Sequence, residues 1–182
     1  ELFTSQLKGI LRASFYGNIK VLYPMVSSVT EIIQANKLLQ EAKTALKEDQ
    51  IPFDDNIEVG AMIETPAATL CIDHILDHVD FVSIGTNDLI QYTLAVDRIN
   101  ETVAHLYQPF HPSVIRSLKQ IIVAANKAGK KVSICGELGG DPMATMLLLG
   151  LGKLGDLSME PHSIPKVKKI IRLIRLDEAR QM

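Results

Sequence analysis

Apolar residues follow two alternating patterns along the chain, one with the spacing of a helix and one with the short runs of a buried strand. The first pattern places Leu7, Ile10 and Leu11 on one face of an N-terminal helix, which is expected to end near Gly17. Five runs of aliphatic and β-branched residues, bounded by turn-forming residues, predict strands. These predicted strands cover residues 19–25, 57–63, 79–84, 131–135 and 154–159, of which the last is the weakest.

Helix start signals follow several of these strands. Ser28 and Glu31 have the spacing of a capping box, which predicts a helix that runs to about residue 49. Thr65 and Pro66 form an N-cap followed by a first-turn proline, and they predict a helix that runs to about residue 78. Further helices are expected over residues 87–96, 112–128 and 163–174, after Asp141, and from residue 177 onward.

Strands and helices therefore alternate through the chain, with short connections between them. This order favours a parallel sheet with right-handed crossovers, either an open doubly wound sheet or a (β/α)₈ barrel from which about three units are missing. Polar residues follow several strands in turn, and a barrel gathers all of its strand ends at one mouth. We therefore predict one α/β domain over residues 1–182, an incomplete (β/α)₈ TIM barrel of about five C-terminal βα units, truncated at its N-terminus.

Composition narrows the class of protein without identifying it. With 47% hydrophobic residues, 22% charged residues and a net charge of −2, the chain is typical of a globular protein, and it has no general attraction for nucleic acid or anionic membranes. Its two cysteines lack zinc-ligand spacing, which favours a cytoplasmic location, and no apolar run is long enough to span a membrane. Because the sequence begins with Glu1 rather than Met, we expect it to be a piece of a longer protein.

Carboxylates follow two successive predicted strands, and they are the first candidates for chemistry. Glu64 comes directly after the second strand, and Asp88 follows the third strand at the end of the segment Gly-Thr-Asn-Asp. Two carboxylates from neighbouring strand ends, together with water and a substrate oxygen, are typical ligands of Mg²⁺. The alternative is that Glu64 only complements the positive end of the helix that follows it.

Three other side chains are candidates for binding or catalysis. Arg98 follows a helical segment and has the planar group that suits a phosphate or carboxylate, although an ion pair with Asp97 explains it equally well. Asn87 either donates to a phosphate oxygen or caps the next helix. Cys135 lies at a strand end before a glycine-rich loop, a position that favours a nucleophile or a general acid, whereas Cys71 is expected in the core.

Three linked motifs resemble those of a known family. The segment 84–98, Ile-Gly-Thr-Asn-Asp-Leu-Ile-Gln-Tyr-Thr-Leu-Ala-Val-Asp-Arg, resembles the signature of the Enzyme I family, the phosphoenolpyruvate–protein phosphotransferases of the bacterial sugar phosphotransferase system. Met-Ile-Glu-Thr-Pro at 62–66 and Cys-Gly-Glu-Leu-Gly-Gly-Asp-Pro at 135–142 are similar to further motifs of phosphoenolpyruvate-utilising enzymes. Their order and spacing also match, so the resemblance covers nearly the whole chain.

The resemblance implies a barrel that binds phosphoenolpyruvate and Mg²⁺ and forms a homodimer. It implies that Glu64 and Asp88 are the Mg²⁺ ligands. By the same resemblance, Asn87 and Arg98 hold the phosphate beside Asp88. Cys135 is implied to be the acid that protonates the methylene carbon of enolpyruvate. The implied reaction transfers the phosphoryl group to a protein histidine and releases pyruvate, as the first step of sugar uptake by this system.

The resemblance also implies what this sequence lacks. The phosphoryl-accepting histidine of the family lies on a separate domain, in a Thr-Ser-His-type motif that is absent from this sequence. By the same resemblance, this domain belongs to an N-terminal part of the protein that is missing from this sequence. The histidine-containing phosphocarrier protein is the implied partner of that missing part. The first three barrel strands, which carry further arginines for phosphoenolpyruvate, are expected to lie before Glu1. The chain alone is therefore expected to hold only part of the site and to be inactive.

Other functions share parts of this pattern. Pyruvate phosphate dikinase and phosphoenolpyruvate synthase share the Asn-Asp-Leu and Cys-Gly-Glu motifs, but the continuation at 91–98 favours Enzyme I over both. A Mg²⁺-dependent lyase of the pyruvate aldolase type would also use both carboxylates, yet it needs neither a thiol acid nor a phosphate-binding arginine. A third alternative is a non-catalytic piece that self-associates through the helices beginning at Pro112 and Ser163.

Overall fold

Within residues 2–181, which the computed structural model describes, four short parallel strands form the centre of the fold. The strands are β1 (Val21–Tyr23), β2 (Val59–Ile63), β3 (Phe81–Gly85) and β4 (Lys131–Cys135). The helices are α1 (Leu2–Ser14), α2 (Val29–Glu48), α3 (Pro66–Leu70), α4 (Ile72–Leu76), α5 (Thr86–Leu94), α6 (Pro112–Lys127), α7 (Pro142–Leu151), α8 (Ile164–Leu173) and α9 (Leu176–Ala179), with 3₁₀ turns at Ala104–Leu106 and Glu137–Gly140. No helix in this range is both long enough and apolar enough to cross a membrane.

The strands lie in the order β1-β2-β3-β4, so each strand pairs with its neighbour in sequence. All three pairings are parallel, and helices occupy the crossovers between them. A doubly wound sheet reverses its order at a switch point, whereas a barrel adds its strands in sequence. The described sheet does not close on itself. The prediction of an α/β fold with an incomplete (β/α)₈ barrel is therefore confirmed.

The fifth predicted strand is shorter than expected. The segment 154–159 runs beside β4, where the Ile134 N–H donates to the carbonyl oxygen of Asp156 at 3.0 Å. The segment forms a single parallel bridge, between Ile134 and Leu157, instead of a ladder. Gly155 and Asp156 interrupt its apolar run, and neither residue type packs well on a pleated sheet. The fifth unit is thus reduced to a bridge at the edge of β4.

The two faces of the sheet are covered to different extents. Side chains alternate along each strand, so Val82 and Ile84 share one face of β3, where both are completely buried. Helix α6 packs on this outer face. Met62, Phe81 and Ser133 lie on the opposite, inner face and are half-buried. In a closed barrel the inner face is filled by side chains from the remaining strands.

The helix predicted over residues 65–78 is divided into α3 and α4 at Cys71. Its start is as predicted, since Thr65 Oγ1 accepts the Ala68 N–H at 3.1 Å and Pro66 occupies the first turn. Cys71 has φ −106° and ψ 20°, which lie outside regular helical values, so the helix stops there. The break leaves Cys71 exposed, so the prediction that it belongs to the core is wrong.

The capping box at the start of α2 makes the stability of the fold sensitive to acid. The Glu31 carboxylate accepts the N–H groups of Ser27 at 2.8 Å and Ser28 at 3.0 Å, and these backbone donors lower the pKa of Glu31. The resulting stabilisation is present above the pKa of an unfolded glutamate and is lost as the pH falls through the folded value. In Glu31→Gln, the urea midpoint is expected to change less between about pH 6 and pH 3 than in the unchanged chain. Equal pH dependence in both proteins would contradict this role for Glu31.

Candidate active site

The carboxyl ends of β2, β3 and β4 bring the predicted site residues together. Glu64 directly follows β2, and Asp88 lies in the first turn of α5, which begins as β3 ends. Cys135 is the last residue of β4. Neighbouring parallel strands end at the same edge of the sheet, so these three residues share one mouth.

Glu64 is a buried carboxylate beside a second acid. It is 4% exposed, and its Oε1 accepts the Met25 N–H at 2.7 Å. Met25 has a left-handed φ of 52°, which is uncommon for a residue with a side chain and often marks a functional site. Burial raises the pKa of Glu64, the bond from Met25 opposes this rise, and the charge and hydrogen bond of Asp88 add to it. The two predicted metal ligands are therefore neighbours in space.

Because Gly85 has no side chain, the side chain of Glu64 can lie directly against it. A Cβ atom at residue 85 would lie 2.5 Å from Oε2 and 2.9 Å from Cβ of Glu64, which is closer than side-chain atoms approach. Gly85→Ala is therefore expected to displace Glu64 and to lower the free energy of unfolding by about 1–3 kcal/mol in urea denaturation. Gly9→Ala is the matched control, since its Cβ would meet no atom within 4 Å and alanine favours the helix. An unchanged free energy of unfolding in Gly85→Ala would contradict this prediction, because it would mean that Glu64 can move aside without strain.

Thr86 and Asn87 join the end of β3 to the loop after β4. Thr86 Oγ1 donates to the carbonyl oxygen of Cys135 at 2.9 Å, and Asn87 Oδ1 accepts the Glu137 N–H at 3.0 Å. Gly136 permits this approach, because its φ is 97° and a Cβ there would lie 2.5 Å from Thr86 Oγ1. Helix α5 begins without a side-chain cap, so the capping alternative for Asn87 is wrong. With its oxygen engaged, Asn87 has its amide nitrogen left as a donor.

Arg98 is exposed, and its charge acts on Tyr107 beside the site. Asp97 Oδ1 accepts the Ile99 N–H at 3.0 Å, and within residues 2–181 no ion pair joins Asp97 to Arg98. Helix α5 ends at Leu94, and its C-cap residue Ala95 has a left-handed φ of 52°. The guanidinium of Arg98 is near the Tyr107 side chain, on whose pKa its charge acts. The ion-pair alternative for Arg98 is therefore wrong.

Tyr107 is a site residue that the sequence pattern does not single out. Its hydroxyl donates to the carbonyl oxygen of Asn87 at 3.3 Å. Burial raises the pKa of Tyr107, and the Glu137 carboxylate raises it further. The nearby Arg98 guanidinium opposes this rise, and Asp88 adds to it. The one sequence signal for this residue is the long irregular segment between α5 and α6, since long loops in compact domains are often functional.

Two hydrogen bonds orient the sulfur of Cys135. Its Sγ donates to the carbonyl oxygen of Ile84 at 3.3 Å and accepts the Ser83 hydroxyl at 3.4 Å. The side chain is half-buried at the strand end. A general acid needs a defined position in the site, and these contacts hold the sulfur at the strand end.

Glu64 and Asp88 are a pair of acids rather than a complete cage for a metal ion. In the described part of the chain, no group of three or more His, Cys, Asp or Glu side chains is arranged to hold a metal. That part of the chain also has no ion pair that links either acid to a lysine or an arginine. Any cation at this pair must complete its coordination with water or substrate.

A cavity of about 480 Å³ opens beside Asn87, towards the loop that follows β4. Its lining includes three acidic residues, Glu137, Asp141 and Glu160. A wall with these acids repels anions, so it disfavours a phosphate. Arg98 is not part of this wall, which makes the Arg98 side of Asn87 the better place for an anionic ligand.

The sequence matches known proteins over nearly its whole length. Residues 1–176 match the family model described as PEP-utilising enzyme, PEP-binding domain. The chain is 48% identical over 180 residues to the phosphoenolpyruvate-protein phosphotransferase of Haemophilus influenzae, and 50% identical over 179 residues to that of Listeria monocytogenes. These matches cover 99% and 98% of the chain but 31% of each relative. The chain thus spans just under a third of the length of the curated relatives it matches.

A solved structure supports the fold independently of these sequence matches. The crystal structure of a citrate lyase from Burkholderia xenovorans matches with a TM-score of 0.66, covering 92% of the chain and 53% of that protein at 19% identity. At this identity the likeness concerns the fold alone, and it agrees with the barrel-like order of the strands. The family match and the sequence relatives together show that the chain belongs to the PEP-utilising enzymes and corresponds to their PEP-binding domain.

Proposed function

We propose that this chain contributes to the transfer of a phosphoryl group from phosphoenolpyruvate to a protein histidine, with release of pyruvate, as the first step of the bacterial sugar phosphotransferase system. The observation that carries the proposal is the pair of Glu64 and Asp88 at neighbouring strand ends, with Cys135 at the same mouth. The names of the relatives support the same activity. In this proposal, residues 1–182 form part of a single phosphoenolpyruvate-binding barrel domain.

Mg²⁺ fits the donors that Glu64 and Asp88 provide. The two carboxylates are close enough for Asp88 to raise the pKa of Glu64, so a cation between them would relieve their repulsion. Mg²⁺ keeps several waters and takes only one or two carboxylates from a protein, which agrees with a pair rather than a cage. When bound, Mg²⁺ would neutralise charge on the transferred phosphoryl group.

Arg98 and Asn87 are the proposed ligands of the substrate phosphate, next to Asp88. Arg98 offers a planar set of N–H donors, and its charge acts on Tyr107, whose hydroxyl donates to the carbonyl oxygen of Asn87. Asn87 offers its amide nitrogen, because its oxygen is engaged by the Glu137 N–H. The Asn87 amide is thus oriented before a ligand arrives, and the nearby charge of Arg98 favours binding of an anion.

Cys135 is the proposed general acid. As the phosphorus–oxygen bond breaks, its electron pair stays on the enolate oxygen, and the phosphorus bonds to the accepting histidine nitrogen. The enolate then takes the thiol proton at its methylene carbon. The carbon–carbon π pair forms the new C–H bond, and an oxygen pair forms the carbonyl of pyruvate. The sulfur is left as a thiolate, which solvent protonates again. Formation of the keto product drives the transfer.

The complete enzyme is proposed to act as a cytoplasmic homodimer that passes the phosphoryl group to a histidine-containing phosphocarrier protein. These steps need further domains, including the one with the accepting histidine, so the chain alone is expected to be inactive. The relatives at 48–51% identity carry the phosphotransferase name, which favours this activity over a dikinase, a synthase or an aldolase-type lyase.

Isotope exchange between pyruvate and phosphoenolpyruvate tests the proposed activity. The complete protein with Mg²⁺ is expected to move label from pyruvate into phosphoenolpyruvate without any sugar present, because the phosphorylated histidine returns its phosphoryl group. A lyase of the aldolase type predicts no such exchange and instead cleaves a hydroxy-oxo acid. Failure of exchange in a folded, Mg²⁺-loaded protein would overturn the proposal.

A further inference from the structure

Ser83 is a buried polar residue on the inner face of β3. It is 5% exposed, and its hydroxyl donates to Sγ of Cys135 at 3.4 Å. We propose that Ser83 is a positioning residue for proton transfer by Cys135: its hydroxyl holds the sulfur in place and stabilises the charge that the sulfur acquires. This inference rests on the function proposed above, in which Cys135 is the acid.

A serine in the middle of a buried strand needs a reason. The residues on either side of Ser83 are Val82 and Ile84, which are the types that strands favour. A hydroxyl at this depth destabilises the fold unless it finds a partner, and the partner here is a thiol sulfur, which is a weak acceptor. Stability alone therefore gives little reason for a serine at this position.

Ser133 shows what a serine on this face does when its hydroxyl bonds to the backbone instead of to the thiol. It lies directly opposite Ser83 in the register of β3 and β4. Its hydroxyl donates to the carbonyl oxygen of Val82 at 3.5 Å, an ordinary backbone acceptor. The two serines share a face and a level of the sheet, and they differ in that only Ser83 contacts the sulfur of Cys135 within the described residues.

The two contacts of the Cys135 sulfur have different roles in this proposal. The carbonyl of Ile84 accepts the thiol proton, so that contact is released when the thiol turns towards substrate. The Ser83 hydroxyl donates to the sulfur, so that contact persists when the proton leaves. As the enolate carbon takes the proton, the sulfur becomes a thiolate, and a hydrogen bond to an ionised acceptor is about twice as strong as one to a neutral acceptor. Ser83 therefore favours the proton-transfer step over the bound ground state.

Exchange of the methyl protons of pyruvate for deuterium isolates this step from phosphoryl transfer. The complete protein with Mg²⁺ and pyruvate in D₂O is followed by NMR, alongside calorimetric titration with phosphoenolpyruvate. Ser83→Ala is expected to slow methyl exchange by roughly 10-fold, as for loss of one hydrogen bond to a charged atom, with unchanged affinity for phosphoenolpyruvate. Ser133→Ala is the matched control and is expected to leave both quantities unchanged. Cys135→Ala is expected to lose methyl exchange almost completely.

The outcomes separate this inference from the proposed function. Normal methyl exchange in Cys135→Ala would overturn the role of Cys135 as acid and the inference with it. Loss of exchange in Cys135→Ala together with a normal rate in Ser83→Ala would overturn the inference alone. A similar loss in Ser83→Ala and Ser133→Ala, accompanied by weaker binding of phosphoenolpyruvate, would mean a general packing defect and would also overturn it.

Discussion

Asp88→Asn is expected to lose the Mg²⁺-dependent part of phosphoenolpyruvate binding. Asparagine keeps the shape of the side chain but removes the negative charge beside Glu64, and Mg²⁺ prefers charged oxygen ligands. Loss of a residue that only supports a metal ligand weakens metal binding by up to ~10²-fold. Loss of a direct ligand is therefore expected to weaken the Mg²⁺-dependent binding of phosphoenolpyruvate by at least that factor. Calorimetric titration of the complete protein with phosphoenolpyruvate, with and without Mg²⁺, measures this loss.

Asp97→Asn is the matched control for this experiment. It makes the same chemical change in an exposed acid that accepts the Ile99 N–H and, within the described residues, forms no ion pair with Arg98. Its affinity for phosphoenolpyruvate is expected to equal that of the unchanged protein. Normal Mg²⁺-dependent binding by Asp88→Asn would place the metal elsewhere in the protein.

Cys135→Ala is expected to slow phosphoryl transfer by roughly 10²-fold or more while binding of phosphoenolpyruvate stays largely intact. Alanine removes the proton donor for the enolate but leaves the metal and phosphate ligands in place. The rate of label exchange between pyruvate and phosphoenolpyruvate measures the loss, and titration calorimetry measures the affinity.

Cys71→Ala provides the control for loss of a thiol. Cys71 is exposed between α3 and α4, and it has no part in the proposed site. The turnover of Cys71→Ala is expected to match that of the unchanged protein. Equal turnover of Cys135→Ala and Cys71→Ala would rule out Cys135 as the acid.

The positions of the site residues could be predicted because strand ends are encoded locally. Apolar runs stop at Glu64, at the Gly-Thr-Asn-Asp turn and at Cys135, and parallel strands place such ends on one edge. The alternation of elements likewise predicts the parallel sheet without any knowledge of long-range contacts. The roles of these residues in metal binding and catalysis stay predictions.

The contacts that refine the site could not be predicted, because they join segments far apart in sequence. The Met25 N–H donates to the Glu64 carboxylate, and the Tyr107 hydroxyl donates to the carbonyl oxygen of Asn87. Periodicity fixes which face a residue occupies but not which distant group it meets. The break at Cys71 is not predictable for a similar reason, since capping signals mark the start of a helix and not every interruption within it.

The sequential order of the strands has a consequence for folding during synthesis. Each strand pairs with the one that left the ribosome just before it, so the sheet can grow one βα unit at a time. Two parallel strands can pair only after the whole crossover between them has been synthesised, and such pairing is intrinsically slow. The newest strand therefore presents an unpaired edge until the next unit arrives. We therefore expect the growing domain to be open to pairing with other chains at each step of its elongation.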